Sequence, residues 1–169
     1  MKITDFLNNE VVNFASYSTL RALASYIDGL KNSHRKVVCY MLLNNVTKEK
    51  KVFNLSGEIM TSMEYLHGDI SGSVITLAQN YPGTNNIPLL SREGNFGTRF
   101  TNEASATRYI YTAKDKMFDY LFNKSDINVL PEQYFEGTKI EPRFFIPTLP
   151  LILINGSEGI ATGFAQKIL

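Results

Sequence analysis

The stretch SGEIMTSMEYLHGDISGSVITLAQN, residues 56–80, carries the strongest indication of the fold class of this chain. It predicts a short helix near residues 56–63, a tight linker at residues 66–69 and a second helix capped by Asp69, a residue type common at helix N-termini. The apolar residues of the second helix recur at the spacing of a single helix face: Ile70, Val74, Leu77 and Ala78. Two short helices with such a linker match a helix-turn-helix in length and spacing.

Two more helices are predicted on the N-terminal side of this stretch. The first ends at the pair Asp28-Gly29, and its apolar face is formed by Leu20, Leu23, Ala24 and Ile27. The second begins with Ser33 as its N-cap and ends at Asn44-Asn45. Its inward-facing residues are Val37, Val38, Met41 and Leu42.

The character of the sequence changes after residue 80, where turn-forming residues become frequent. Strands are predicted at residues 87–90, 107–112 and 151–154, the last of them buried. A helix capped by Asp115 is predicted between the last two strands, with apolar residues Met117, Phe118, Leu121 and Phe122. The two halves together predict an α+β fold of the winged-helix kind, in which a helix-turn-helix is joined to a β wing.

The composition excludes several classes of protein. The chain has 169 residues, of which 44% are hydrophobic and 20% charged, so it suits one packed domain, or one domain and part of a second. The net charge of +1 means that any nucleic-acid contact has to come from a local basic patch. One cysteine allows no internal disulfide, and Cys39 is expected to be a buried, inert thiol because it stands in an apolar helical pattern.

Several motifs are absent from the sequence. It has no phosphate-binding loop of the GxxxxGK[ST] type, no GxSxG and no HExxH, and one cysteine with two histidines argues against a structural zinc site. No signal peptide and no membrane-spanning apolar run are found, so we expect a soluble intracellular protein.

The pair Arg108-Tyr109 is the first candidate for chemistry. A tyrosine can attack a phosphodiester if a base or a cationic neighbour activates its phenol, and Arg108 could brace the phosphate. The alternative is an ordinary half-buried aromatic residue of a strand. In a strand, adjacent side chains point to opposite faces, so Arg108 would have to reach around or act from the other protomer.

Two further candidates are basic. Residues 28–36, DGLKNSHRK, concentrate cationic groups at a helix start, which is either a solvated basic turn or a phosphate clamp. His67 lies at the corner of the helix-turn-helix, where it is either a capping or packing residue or a group that orients a phosphate or accepts a proton.

These segments occur in an order that resembles a known family. The motifs are DGLK at 28–31 with HRK at 34–36, HGD at 67–69, LAQN at 77–80, GNFGTR at 94–99, ATRYIYT at 106–112 and NGSEGIATG at 155–163. They resemble the breakage–reunion subunit of type IIA DNA topoisomerases, and the GTR and RYIYT stretches lean toward its eukaryotic and T-even-like phage branch rather than toward gyrase A. The resemblance covers the chain from about residue 4 to residue 169, the N-terminal portion of such a protein.

The resemblance implies roles for individual residues. Tyr109 would attack a DNA phosphate and hold the 5′ end as a phosphotyrosine, Arg108 would stabilise the transition state, and Tyr111 would have a packing role. His67 completes the implied catalytic set. The implied DNA-binding residues are Arg21, Lys31, His34, Arg35, Lys36 and Ile160, the last of which would wedge between base pairs.

The resemblance also implies a domain order and partners. An N-terminal arm helix (1–20) would precede a winged-helix DNA-cleavage domain (21–125) and the truncated start of a tower domain (126–169). Double-stranded DNA would be the substrate, the full-length enzyme would be a homodimer, and no membrane contact is expected. A partner chain would hold Mg²⁺ on a TOPRIM domain and bind the ATP that drives strand passage, so no metal ligands are expected here.

The resemblance also leaves questions open. Relatives usually carry a second histidine before His67, whereas here Tyr65 and Leu66 precede it. The function implied is DNA breakage and rejoining in the cytoplasm, or in the host cytoplasm or nucleoid if the gene belongs to a phage. The alternatives are a non-catalytic winged-helix DNA-binding fragment, inactive because it is truncated, and an α+β interaction domain whose motif matches are fortuitous.

Overall fold

The computed structural model describes residues 2–169, and its N-terminal part is a long helical arm. Helix α1 (Ile3–Phe6), a π-helical turn (Leu7–Val11) and helix α2 (Val12–Ala22) follow one another without a break. No residue of these three elements is buried. The arm therefore contributes little to the core and presents its side chains to the surroundings.

Helix α2 is shorter than the sequence predicted. It ends at Ala22, because Leu23 is extended and residues 26–28 form a turn. The predicted apolar face that runs on to Ile27 was therefore wrong. The turn ends at Gly29, which has φ +70°, and a Cβ there would lie 2.6 Å from the backbone nitrogen of Ile152. Only glycine fits this close approach.

Three helices form the centre of the fold: α3 (Asn32–Leu43), α4 (Val52–Ser62) and α5 (Ser71–Ala78). The inward faces predicted for the first and third of these are confirmed, since all eight of their named apolar residues are buried. Helix α3 has Lys31 rather than Ser33 at its N-cap, and α4 begins four residues earlier than predicted. Asp69 does cap α5, because its carboxylate accepts the N–H of Ser71 at 2.9 Å.

A small antiparallel sheet serves as the wing. Strand β1 (Lys50–Lys51) pairs with β2 (Tyr111–Thr112), and Glu93 pairs with the other edge of β2. The predicted strands were too long here, because Leu90 makes only an isolated bridge and β2 starts four residues later than residue 107. The α+β winged-helix class is nonetheless the observed one, with a helix-turn-helix of α4 and α5 beside this wing.

The C-terminal third packs back onto the helices. It contains α6 (Phe118–Leu121), a 3₁₀ turn (Lys124–Asn128), a hairpin of β3 (Tyr134–Phe135) and β4 (Thr138–Lys139), α7 (Leu151–Ile154), and a hairpin of β5 (Ser157–Ala161) and β6 (Phe164–Ile168). The predicted strand at 151–154 is helix α7, and the final hairpin was not predicted. Ile127, Leu130 and Phe145 belong to the same core cluster as α3, so packing continues across the predicted boundary at residue 125.

Within residues 2–169, no helix is long and apolar enough to cross a membrane. Cys39 is buried on α3, and burial raises the pKa of its thiol to about 12. A thiol with that pKa stays protonated at neutral pH and is a poor nucleophile, as the sequence pattern predicted.

Candidate functional site

Tyr109 lies in an exposed turn, not in the strand that the sequence predicted. Residues 107–109 form the turn, and the N–H of Tyr109 donates to the carbonyl of Ala106 at 2.9 Å. The Tyr109 side chain is 64% exposed. The phenol is therefore open to a large substrate.

The turn changes the geometry of the pair Arg108-Tyr109. The Cζ atom of Arg108 lies 4.9 Å from the centroid of the Tyr109 ring, within the range of a cation–π contact. A strand would have sent these side chains to opposite faces, whereas the turn brings them together. Arg108 can therefore place its charge beside the phenol of its own chain, and the predicted need to reach around does not arise.

The turn is held at both ends by the first residues of helix α4. The N–H of Val52 donates to the carbonyl of Ile110 at 3.0 Å, and the N–H of Phe53 donates to the carbonyl of Thr107 at 3.2 Å. The first N–H groups of a helix have no partner inside it, so the helix offers these donors without losing its own hydrogen bonds. The backbone that carries Tyr109 is thereby fixed to a core element.

Gly94 lets a neighbouring loop pack against the same turn. Its φ is +99°, and a Cβ at this position would lie 3.0 Å from the Cγ2 atom of Ile110. The glycine that opens the GNFGTR motif therefore packs against the backbone next to Tyr109. Tyr111, the neighbouring tyrosine, is half-buried in β2, with the ammonium of Lys51 5.9 Å from its ring centroid.

The corner of the helix-turn-helix carries an exposed group that we call the corner cluster: Tyr17, Arg21, Tyr65 and His67. The hydroxyl of Tyr17 is hydrogen-bonded to Nε2 of His67, and Nη1 of Arg21 lies 3.4 Å from Nδ1 of the same ring. The Tyr65 ring meets the His67 ring edge-on, with centroids 6.0 Å apart. Two predicted residues, Arg21 and His67, are thus in contact although 46 positions separate them.

The sequence analysis missed Tyr17 as a member of the corner cluster and did not place Arg21 in it. Tyr17 and Arg21 are four residues apart on α2, and the Cζ atom of Arg21 lies 5.9 Å from the Tyr17 ring centroid. This i, i+4 spacing was a signal that the two side chains share a face. Nothing in the sequence showed that this face meets His67.

The structure contradicts two predicted DNA contacts on α3. Arg35 is buried and its Nε donates to Oδ2 of Asp28 at 2.8 Å. Lys36 is also buried, and its Nζ donates to Oε2 of Glu141 at 2.8 Å. Both charges are neutralised inside the protein by carboxylates, so these residues stabilise the fold instead of meeting a phosphate.

Lys31 and His34 lie half-buried at the rim of a cavity of about 650 Å³ that is also lined by α5 and α7. The pKa of His34 is lowered to about 4, first by burial and then by the charges of Lys31 and Arg35. His34 is therefore neutral at pH 7. It can form a hydrogen bond to a ligand, but it adds no positive charge to the basic turn.

Ile160 lies on the hairpin of β5 and β6, and its side chain is 80% exposed. The hairpin is tied to the end of the arm, because Oε1 of Gln166 accepts the N–H of Ala24 at 3.0 Å and the N–H of Thr162 donates to Oγ of Ser18 at 3.1 Å. An exposed isoleucine on a fixed hairpin fits the wedge role that the resemblance implied.

The residues of this chain do not fit a metal centre. Among residues 2–169, no three histidine, cysteine, aspartate or glutamate side chains come together in a way that could hold a metal ion. The donor set for Mg²⁺ is therefore missing from the part of the chain that the structure describes, and we derive no catalytic step through a metal.

Comparison with known proteins identifies the family. The family model of the DNA gyrase/topoisomerase IV A protein, the DNA-cleaving partner in these enzymes, matches residues 21–169. The chain belongs to this family. Mitochondrial DNA topoisomerase 2 of Dictyostelium discoideum is 38% identical over 168 residues, which are 97% of this chain and 13% of that protein.

Viral and structural relatives agree with this assignment. DNA topoisomerase 2 of Acanthamoeba polyphaga mimivirus, a giant virus, is 37% identical over 169 residues, 97% of this chain and 13% of that protein. The predicted link to T-even-like phages stays a prediction. The crystal structure of the DNA-binding, cleavage and re-ligation domain of Plasmodium falciparum topoisomerase II is similar with a TM-score of 0.91 and 38% identity, covering 97% of this chain and 23% of that one. This member of the gyrase and topoisomerase IV family thus spans a small fraction of the length of its relatives.

Proposed function

We propose that this chain is the tyrosine-bearing part of a type II topoisomerase, which breaks and rejoins DNA through Tyr109. The observation that carries the proposal is the exposed phenol of Tyr109 on a turn fixed to α4, with the Arg108 guanidinium 4.9 Å from the ring. A large polymer can reach a nucleophile at such a position, and the fixed backbone keeps the nucleophile oriented.

The proposed reaction exchanges one phosphodiester for another. The phenolic oxygen of Tyr109 attacks phosphorus, the bond from phosphorus to the 3′ oxygen breaks, and the 5′ end remains joined to the protein as a phosphotyrosine. The phenol gives up its proton and the departing 3′ oxygen takes one up, so charge and atoms balance. The reverse attack by the 3′ hydroxyl restores the strand, and the step itself requires no nucleotide energy.

Arg108 is the group that we assign to the charge of the transition state. The phosphate gains negative charge as the fifth oxygen approaches, and a guanidinium already beside the attacking oxygen stabilises that charge without rearrangement. His67 and Arg21 would contact a phosphate from the helix-turn-helix corner. Thr107 of the tyrosine turn and Asp69 of the corner line one hollow of about 590 Å³, so both groups border the same surface.

The partners of this chain are part of the proposal. Double-stranded DNA is the substrate, and a TOPRIM-bearing region outside residues 2–169 supplies the Mg²⁺ site. ATP, bound by another domain or chain, drives strand passage, and the complete enzyme is a homodimer. The exposed arm of α1 and α2 leaves room for such assembly.

Covalent trapping tests the proposal. The chain is mixed with labelled duplex, Mg²⁺ and a TOPRIM-bearing partner, then denatured, and DNA-linked protein is detected on a gel. We expect a linked band in the wild type and in Tyr111→Phe, and none in Tyr109→Phe, which retains the ring but lacks the attacking oxygen. Duplex affinity should be the same in all three proteins.

Two results would contradict the assignment. A linked band that persists in Tyr109→Phe would show that another group is the nucleophile. Salt-sensitive duplex binding without any linked band would favour the non-catalytic DNA-binding fragment.

A further inference from the structure

The hydrogen bonds of the corner cluster have a direction. An arginine side chain carries donors and no acceptor, so Nδ1 of His67 has to accept from Arg21. A ring with an unprotonated Nδ1 is neutral and carries its proton on Nε2. The Nε2–H group therefore donates to the hydroxyl oxygen of Tyr17. The hydroxyl hydrogen of Tyr17 is then left for a group outside the chain.

We propose that Tyr17 is a DNA-contacting residue whose hydroxyl donates to a phosphodiester oxygen. The donor chain runs from Arg21 through His67 to Tyr17 and ends on the phosphate. Each hydrogen bond polarises the next, and an anionic acceptor at the end gains most from this. This inference rests on the proposed function, because it takes DNA as the ligand.

The surroundings of the cluster suit an anion. Asp69 is the carboxylate of the HGD motif at this corner, and it is engaged by the backbone N–H and the hydroxyl of Ser71. The Tyr17 side chain is 48% exposed and Arg21 is exposed beside it. A phosphate at this position would therefore meet a cation and an aligned O–H group.

The cluster is also oriented before any ligand arrives. The His67 ring lies between two aromatic rings, with centroids 5.8 Å from Tyr17 and 6.0 Å from Tyr65. A ring held from two sides keeps its two nitrogens aimed at Arg21 and Tyr17. The residue after Tyr17, Ser18, holds the hairpin of Ile160, so helix α2 links this contact to the proposed wedge.

Duplex affinity of matched variants tests the proposal. Tyr17→Phe removes only the hydroxyl, and we expect it to weaken binding of a short labelled duplex about tenfold, the usual loss for a hydrogen bond to a charged group. Because a phenol is neutral, the slope of log affinity against log salt should not change. Arg21→Gln should weaken binding and reduce that slope by about one.

Tyr26→Phe is the matched control. Tyr26 is 83% exposed on the turn after α2, so this variant loses a surface hydroxyl near the corner cluster. We expect its affinity to equal that of the wild type. Tyr17→Phe binding like Tyr26→Phe would overturn the proposal and leave the role of Tyr109 intact, whereas a wild type that binds no duplex would overturn both.

The ring nitrogens of His67 provide a second readout that needs no DNA. Long-range ¹⁵N–¹H spectra distinguish the two neutral tautomers, and His34→Gln assigns the remaining signals to His67. We expect the Nε2–H tautomer in the wild type and a mixture in Tyr17→Phe, with unchanged far-UV circular dichroism. A wild-type ring protonated on Nδ1 would overturn the donor chain.

Discussion

Two pairs of cations in this chain have opposite surroundings. Arg35 and Lys36 on α3 are buried, and each donates to a carboxylate at 2.8 Å. Arg21 and Arg108 are exposed, and each lies near a tyrosine ring, at 5.9 and 4.9 Å from the centroid. The first pair stabilises the fold, and the second is available to an anionic substrate.

The difference shows that position relative to carboxylates decides what a basic residue does. A buried charge costs several kcal/mol unless a partner neutralises it, so Arg35 and Lys36 are inseparable from Asp28 and Glu141. An exposed guanidinium on an aromatic face keeps its hydrogen-bond donors free. Basic residues near a glycine-containing turn therefore do not by themselves mark a phosphate site.

The largest expected effect comes from removing the carboxylate of Asp28. Its two oxygens accept four hydrogen bonds, from the N–H groups of Leu30 and Phe145 and from Nε and Nη2 of Arg35. Asp28→Ala leaves a buried guanidinium without its partner, so we expect a loss of about 3–5 kcal/mol in the free energy of unfolding. Urea denaturation measures this loss.

An exposed ion pair is the control for Asp28. Lys50→Met breaks the contact with Glu58, whose side chain is 40% exposed, and should cost less than about 1 kcal/mol. Equal losses in the two variants would contradict the distinction between buried and exposed cations. If Asp28→Ala does not fold, Asp28→Asn retains one acceptor oxygen, and its midpoint should lie between those of the wild type and full unfolding.

The pH dependence of stability tests the burial of His34. The pKa is 6.5 in the ordinary case and about 4 in the folded chain, so the unfolded state binds more protons between these values. Unfolding free energy contributed by His34 is therefore present above pH 6.5 and is lost as the pH falls toward 4. The difference between wild type and His34→Gln should rise with pH across this window, and parallel stability curves would contradict it.

The smallest effect on stability is expected at Ile160, although the DNA should respond strongly. The side chain is 80% exposed, so Ile160→Ala should leave the midpoint of thermal unfolding nearly unchanged. If Ile160 wedges between base pairs, the bend of a doubly labelled duplex should decrease more than its affinity. Unchanged fluorescence energy transfer between the duplex ends would exclude the wedge.

The helical part of the fold was largely predictable because its signals are local. An apolar face of period 3.6 identified the buried residues of α3 and α5, and Asp69 marked the start of α5. The short strands were not predictable in this way. The two residues of β2 are held by partners at residues 50–51 and 93, and α7 has an apolar run that periodicity cannot distinguish from a strand.

The candidate site divides along the same line. The motifs of the sequence named Tyr109, Arg108, Arg21, His67 and Ile160, and all five side chains are exposed in the structure. The sequence could not reveal that Arg108 and Tyr109 share a turn, that Tyr17 meets His67, or that the HRK motif is mostly internal. Each of these facts depends on a contact between distant segments.

Short-range patterns and the order of motifs along the chain were thus enough to establish the winged-helix class, the family and the candidate tyrosine. Which cations are free was settled only by the packing of the chain. Lys36 and its partner Glu141 are 105 residues apart, and no local pattern encodes a pairing over that distance. Whether a charge faces water or a carboxylate is a property of the folded molecule.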